Sequence, residues 1–130
     1  MQDKSTSILH SLVRLMFPSD MLDYFEVVDF EEATEHISIY LEEKDNIQNG
    51  KPDHIYERNG FLPASRITDF PLRDKQVTLV VKRRRWKDVD TGESISNDYE
   101  LVAKGTRHSQ EFAAFLKEVL GQIPDSGFFS

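Results

Sequence analysis

Apolar and polar positions recur with two different periods along this chain, and each change of period marks an element. Ile8, Leu9, Leu12, Val13, Leu15 and Met16 form a helical stripe that Ser5, Thr6 or Ser7 can cap. Phe17-Pro18 ends it, because a residue before proline is pushed out of the α region. Ser19-Asp20 can cap a short second turn through Met21, Leu22, Tyr24 and Phe25. The period then drops to two. A strand over about 25–31 is followed by one with Ile37, Ile39 and Leu41 on one face and His36, Ser38 and Tyr40 on the other, an antiparallel hairpin. Residues 44–60 are polar, with turn signals at Asn49-Gly50 and Asn59-Gly60, and read as a long connection. Strands resume near 65–70 and 75–87, separated by Pro71 and a turn at Arg73-Asp74. A second hairpin turns at Asp88-Val89-Asp90-Thr91-Gly92 and returns through about 93–101. Ser109 can cap a last helix whose Phe112, Phe115, Leu116, Val119 and Ile123 share a face.

These elements predict an α+β fold: an antiparallel sheet or ribbon with the N-terminal and C-terminal helices packed on one face. Val77, Leu79 and Val81 should meet Phe112, Phe115, Leu116 and Val119 in the core. Residues 1–123 read as one domain and 124–130, with Pro124 and Gly127, as a flexible tail.

Composition narrows the function classes. With 38% hydrophobic and 30% charged residues the chain is globular rather than disordered. Cysteine is absent, which excludes disulfides and thiolate metal sites. The four histidines (His10, His36, His54, His108) lack metal-ligand spacing, so no metal or cofactor is expected. There is no signal peptide pattern and no apolar run of about 20 residues, so the expected location is cytoplasmic, without membrane contact. Acidic pairs such as Glu31-Glu32 and Glu42-Glu43 flank strands and read as solubilising ends.

The net charge of -7 is unevenly spread. Residues 1–60 carry 13 acids and 5 bases, whereas residues 66–107 carry 10 bases and 7 acids. The run Lys82-Arg83-Arg84-Arg85 joins a strand to Trp86 and Lys87. Four adjacent cations are too costly to desolvate without partners, so this hairpin is expected to protrude as a two-stranded basic ribbon. Such a ribbon can track phosphates, with Trp86 stacking. Lys104 and Arg107 precede the last helix and would add to an anion site there. The alternative is a solvated hairpin whose arginines pair with Asp88, Asp90 and Glu93. A nucleophile elbow, a catalytic cysteine and a Walker loop are absent, so no catalysis is expected. The rival enzyme reading would use His108 with Asp98 or Glu100.

The pattern Arg66, Asp69-Phe70-Pro71, Val77-Thr78-Leu79-Val80-Val81 and Arg83-Arg84-Arg85 resembles bacterial insertion-sequence transposases that open with a zinc ribbon and end in a DDE-type catalytic domain. Thr106 and the helix after it match the family's next element, and the resemblance covers 62–121. The family's ribbon holds zinc with cysteine pairs, and this chain has none, so apolar burial by the extra strands and terminal helices must take the metal's place. The resemblance implies the DNA-binding or DNA-positioning N-terminal region of a transposase, acting with a separately encoded catalytic subunit on transposon ends. In that reading Lys82, Arg83, Arg84, Arg85, Trp86, Lys87, Lys104 and Arg107 meet DNA, with Arg66, Arg73 and Lys75 peripheral. Homodimerisation stays open. The alternative from another class is a protein–protein module, in which the acidic first half docks on a basic partner without DNA contact.

Overall fold

The structure, a computed structural model, describes residues 11–12, 14–15, 17–68, 76–99 and 109–122. Its elements are α1 (Ser19–Leu22), β1 (Phe25–Glu32), β2 (His36–Glu43), β3 (Tyr56–Phe61), β4 (Ser65–Ile67), β5 (Gln76–Lys82), β6 (Arg84–Asp88), β7 (Ser94–Ile95) and α2 (Gln110–Gln122). The fold is α+β. A four-stranded sheet has the order β1-β2-β5-β4 and a three-stranded sheet the order β3-β6-β7.

The first sheet is mixed, not antiparallel throughout. β1 and β2 form the expected antiparallel hairpin, and β4 is antiparallel to β5, but β2 and β5 run parallel, with Ile37 beside Val77 and Leu41 beside Val81. The parallel pair is possible because residues 44–75 make a long crossover. That crossover is not a plain connection, since it contributes β3 and β4. β3 has little apolar alternation and exists by pairing with β6 across a bulge between Arg58 and Phe61. Gly60 takes φ +79° within that bulge, a conformation that disfavours any side chain.

Period two explains what is buried. Ile39 and Leu41 of β2, and Val77, Leu79 and Val81 of β5, point inward and join Phe25, Val27 and Ile67. Phe112, Phe115, Leu116 and Val119 of α2 enter the same cluster, as do Phe17 and Met21. Phe115 meets Phe25 edge to face at 5.1 Å, and Phe112 stacks on Tyr24 at 5.6 Å. The cap of α2 is the expected one, since Ser109 Oγ accepts from the Phe112 N–H at 3.1 Å. Ser109 is itself tied to α1, because its hydroxyl donates to Asp20 Oδ1 at 3.0 Å.

At the N-terminal end, residues 11–12 and 14–15 are helical, yet Leu12 is 50% and Leu15 79% exposed, against the expected apolar stripe. Ile8, Leu9, Val13 and Met16, the Asp69-Phe70-Pro71 motif, Ile123 and the tail 124–130 lie outside the described residues. β1 is an edge strand guarded against further pairing. It carries a bulge between Val27 and Asp29, exposed acids at Glu26, Asp29, Glu31 and Glu32, and a Phe30 N–H held by the Asp29 carboxylate at 2.8 Å.

Leu79 sits at the centre of this core and is fully buried. Leu79→Ala should therefore cost about 2–5 kcal/mol in a denaturant melt. Val28→Ala, at the exposed bulge, should stay within about 0.5 kcal/mol.

Candidate functional site

The basic run does not form a protruding two-stranded ribbon. β5 leaves the first sheet at Arg83, and β6 continues as the middle strand of the second, flanked by β3 and β7. The inward alternation of Val77, Leu79 and Val81 carries on to Arg83, which is 5% exposed. The corresponding alternation in β2 carries Ile39 and Leu41 on to Glu43, which is 1% exposed. Parallel registry sets Glu42 beside Lys82, so the next residues bring a carboxylate and a guanidinium into one layer. Two expectations are thereby corrected: Arg83 is not a solvated cation, and Glu43 is not a solubilising end.

The Glu43 carboxylate accepts three hydrogen bonds. Oε1 takes the Arg84 backbone N–H at 2.8 Å, and Oε2 takes Asn97 Nδ2 at 3.0 Å together with the Tyr99 hydroxyl. Asn97 also donates to Asn46 O at 2.9 Å and accepts the Gln48 N–H at 2.7 Å. Arg83 donates to the Asn97 carbonyl, and Arg84 Nε to the Glu43 carbonyl at 2.8 Å. Burial pushes the Glu43 carboxyl above its ordinary range, an effect that Tyr99, Arg84, Asn97 and Arg83 each oppose. Burial and the adjacent carboxylate push the Tyr99 hydroxyl well up, so it stays a donor.

Trp86 is likewise internal, at 1% exposure, and its indole N–H donates to Asp45 Oδ1 at 2.9 Å. Arg58 Nε holds the other oxygen of Asp45 at 2.7 Å. The Trp86 and Arg58 bonds keep Asp45 below the usual carboxylate range, and the indole is the larger cause. A buried, hydrogen-bonded indole cannot stack on a base, which corrects the role given to Trp86. Arg84 and Arg85 are half-buried. The Arg84 guanidinium lies 4.9 Å from the Phe61 ring centre, and Arg85 Nε donates to Asn59 O at 3.0 Å. Lys82 is exposed, with Nζ 5.7 Å from the same Phe61 ring, and Lys87 is exposed on β6. Lys104 and Arg107, with Arg73, Lys75, Glu100 and His108, lie outside the described residues.

The hairpin turn at residues 88–92 is as expected, but its acid is internal. The buried Asp88 accepts from the Asp90 and Thr91 N–H groups at 2.9 and 3.2 Å through Oδ1, and meets His54 Nδ1 at 2.6 Å through Oδ2. The His54 bond chiefly, with the two turn amides, keeps its pKa below the ordinary value. Gly92 completes the turn at φ +77°.

The second face of the four-stranded sheet is charged. Cross-strand registry places Glu26, Glu42 and Lys82 in one row, Asp29, Tyr40, Val80 and Arg66 in the next, and Glu31, Ser38 and Thr78 in a third. Glu26, Asp29 and Glu31 are exposed and Glu42 half-exposed, and Glu31 accepts from the Tyr40 hydroxyl. Among the described residues no three metal-ligating side chains converge, and no helix is long and apolar enough to cross a membrane.

Comparison with protein-family models, with curated proteins and with solved structures gives no match.

Two outcomes follow from the buried acids. Glu43→Ala leaves Arg83 buried without its carboxylate and should cost about 3–5 kcal/mol in a denaturant melt. Glu43→Gln, which turns one acceptor into a donor facing Asn97, should lose less. Asp88 has the opposite pH signature to Glu43. Its depressed folded pKa gives stability that is complete above about pH 4 and is lost as pH falls through the folded value. Asp88→Asn should thus be less stable at neutral pH and show a flatter acid limb in a pH titration of Trp86 fluorescence.

Proposed function

We propose that this chain is a protein-docking module that offers the acidic second face of its four-stranded sheet to a cationic partner. One observation carries the reading: the arginines and the indole of the basic run are engaged by the fold, while Glu26, Asp29 and Glu31 stand exposed with Glu42 on a single face. Rim charges of one sign act mainly by steering and by selecting a partner of the other sign, so binding should be fast and salt-sensitive.

A second reading is favoured by a separate observation. Lys82, Arg84, Arg85 and Lys87 flank the bend between β5 and β6, and Lys82 and Lys87 are exposed. On that reading the chain is the DNA-positioning N-terminal region of a transposase, with a separately encoded catalytic subunit, and these four residues meet phosphates.

Titration of the protein with a Lys/Arg-rich peptide and with duplex DNA, each at two salt concentrations, separates the two. The docking reading expects peptide binding that weakens with salt and is lost in the Asp29→Asn, Glu31→Gln, Glu42→Gln triple variant. Duplex binding whose log affinity falls with log salt at a slope of about -3 to -4 would overturn it, provided Arg84→Ala, Arg85→Ala and Lys87→Ala together flatten that slope.

A further inference from the structure

Where the start of β1 passes α1 and the residue after β2, a half-open cleft of about 210 Å³ is lined, among the described residues, by Arg14, Leu22, Phe25, Glu26, Val27 and Lys44. Its floor is apolar, with Phe25 and Val27 buried and Leu22 partly so. Its walls carry two cations and one carboxylate. Lys44 is positioned by its backbone N–H, which donates to Tyr24 O at 2.8 Å. The side chains of Arg14, Glu26 and Lys44 make no hydrogen bond or ion pair among the described residues. Elsewhere charges are matched: Asp45 by Arg58 and Trp86, Asp88 by His54, Asp20 by Ser109. Three unmatched charges around an apolar floor are therefore a local exception.

A ligand complementary to this wall needs a carboxylate for Arg14 and Lys44, an ammonium for Glu26 and an apolar body for Leu22, Phe25 and Val27. The volume equals that of about seven water molecules at about 30 Å³ each. It falls below the roughly 300 Å³ at which drug-sized sites begin. Charge pattern and size converge on one chemical class. We propose that this cleft binds a free α-amino acid with an aliphatic side chain, held as its zwitterion. The cleft shares only Glu26 with the docking face, and neither function requires the other. Because the site is half open, its ion pairs are partly screened and binding should be weak, with selectivity set by the matched charges rather than by affinity.

The test is an amide NMR titration with L-leucine up to about 20 mM. Leucine should shift the resonances of Leu22, Phe25, Glu26, Val27 and Lys44 in a saturable way. Leucinamide, which lacks the carboxylate, and isocaproate, which lacks the ammonium, should each bind at least about tenfold more weakly. Glu26→Gln should weaken leucine and erase its advantage over isocaproate, and Arg14→Gln with Lys44→Gln should erase its advantage over leucinamide. These substitutions change wall charges and leave the buried core untouched, so the folded spectrum serves as the control. Absence of saturable shifts, equal binding of the three ligands to the unaltered protein, or shifts confined to other residues would overturn the proposal.

Discussion

Glu43 ends β2 with its carboxylate inside the protein, and three separate parts of the chain are placed by what that carboxylate accepts. A buried charge costs several kcal/mol unless donors surround it, so the surrounding chain is constrained to supply them. Arg84 supplies a backbone N–H at the start of β6 and thereby fixes where the chain leaves the first sheet. Asn97 supplies its amide and uses its remaining polar atoms on Asn46 and Gln48, stitching the loop after β2 to the segment after β7. Tyr99 supplies a hydroxyl from a left-handed backbone, φ 58°, which a tyrosine adopts only at a cost. That strain persists because the ring is packed against Phe25 and Tyr24 while the hydroxyl is bonded.

The same layer decides the fate of the cations. A run of four reads as a surface patch when charge is summed along the sequence. In space each side chain answers to its own neighbours. Arg83 continues the inward face of β5, Arg84 lies on Phe61, Arg85 binds a carbonyl of β3, and only Lys82 is fully exposed. Three hydrogen-bonded guanidinium groups stiffen the bend where β5 passes into β6. Their electrostatic reach toward a polyanion is correspondingly reduced. The acids of the hairpin β1-β2 have no such internal use on their outer face, apart from the Glu31–Tyr40 bond.

Much of the architecture was legible in the pattern of apolar positions. The β1-β2 hairpin, the inward faces of β2 and β5, the Ser109 cap, the buried face of α2 and the Asp88–Gly92 turn are all local consequences of periodicity and turn chemistry. The parallel pairing of β2 with β5 was not legible, because registry between distant strands depends on the path of the crossover rather than on either strand. Nor was β3, since Tyr56–Phe61 carries no apolar alternation and is a strand only by virtue of β6. The burial of Glu43 and Arg83 did have a signal. Ile37, Ile39 and Leu41 lead to Glu43 at the same period of two, and Val77, Leu79 and Val81 lead to Arg83. Periodicity named these positions as internal, and charge alone argued against it. A charge argument fails wherever a second buried group of opposite sign supplies the missing partner.

Matching also indicates where to look for binding. The fold spends most of its charged and polar side chains on one another: Trp86 and Arg58 on Asp45, His54 and the turn amides on Asp88, Ser109 on Asp20. Each such match fixes geometry and removes a group from the pool available to a ligand. Exposed charges that remain unmatched over polar ground are ordinary, because water satisfies them at little cost. Arg14, Glu26 and Lys44 differ in standing around the buried rings and branched chains of Phe25, Val27 and Leu22. A ligand seated there would exclude water from the charges and from the apolar floor at once, so each contact would strengthen the other.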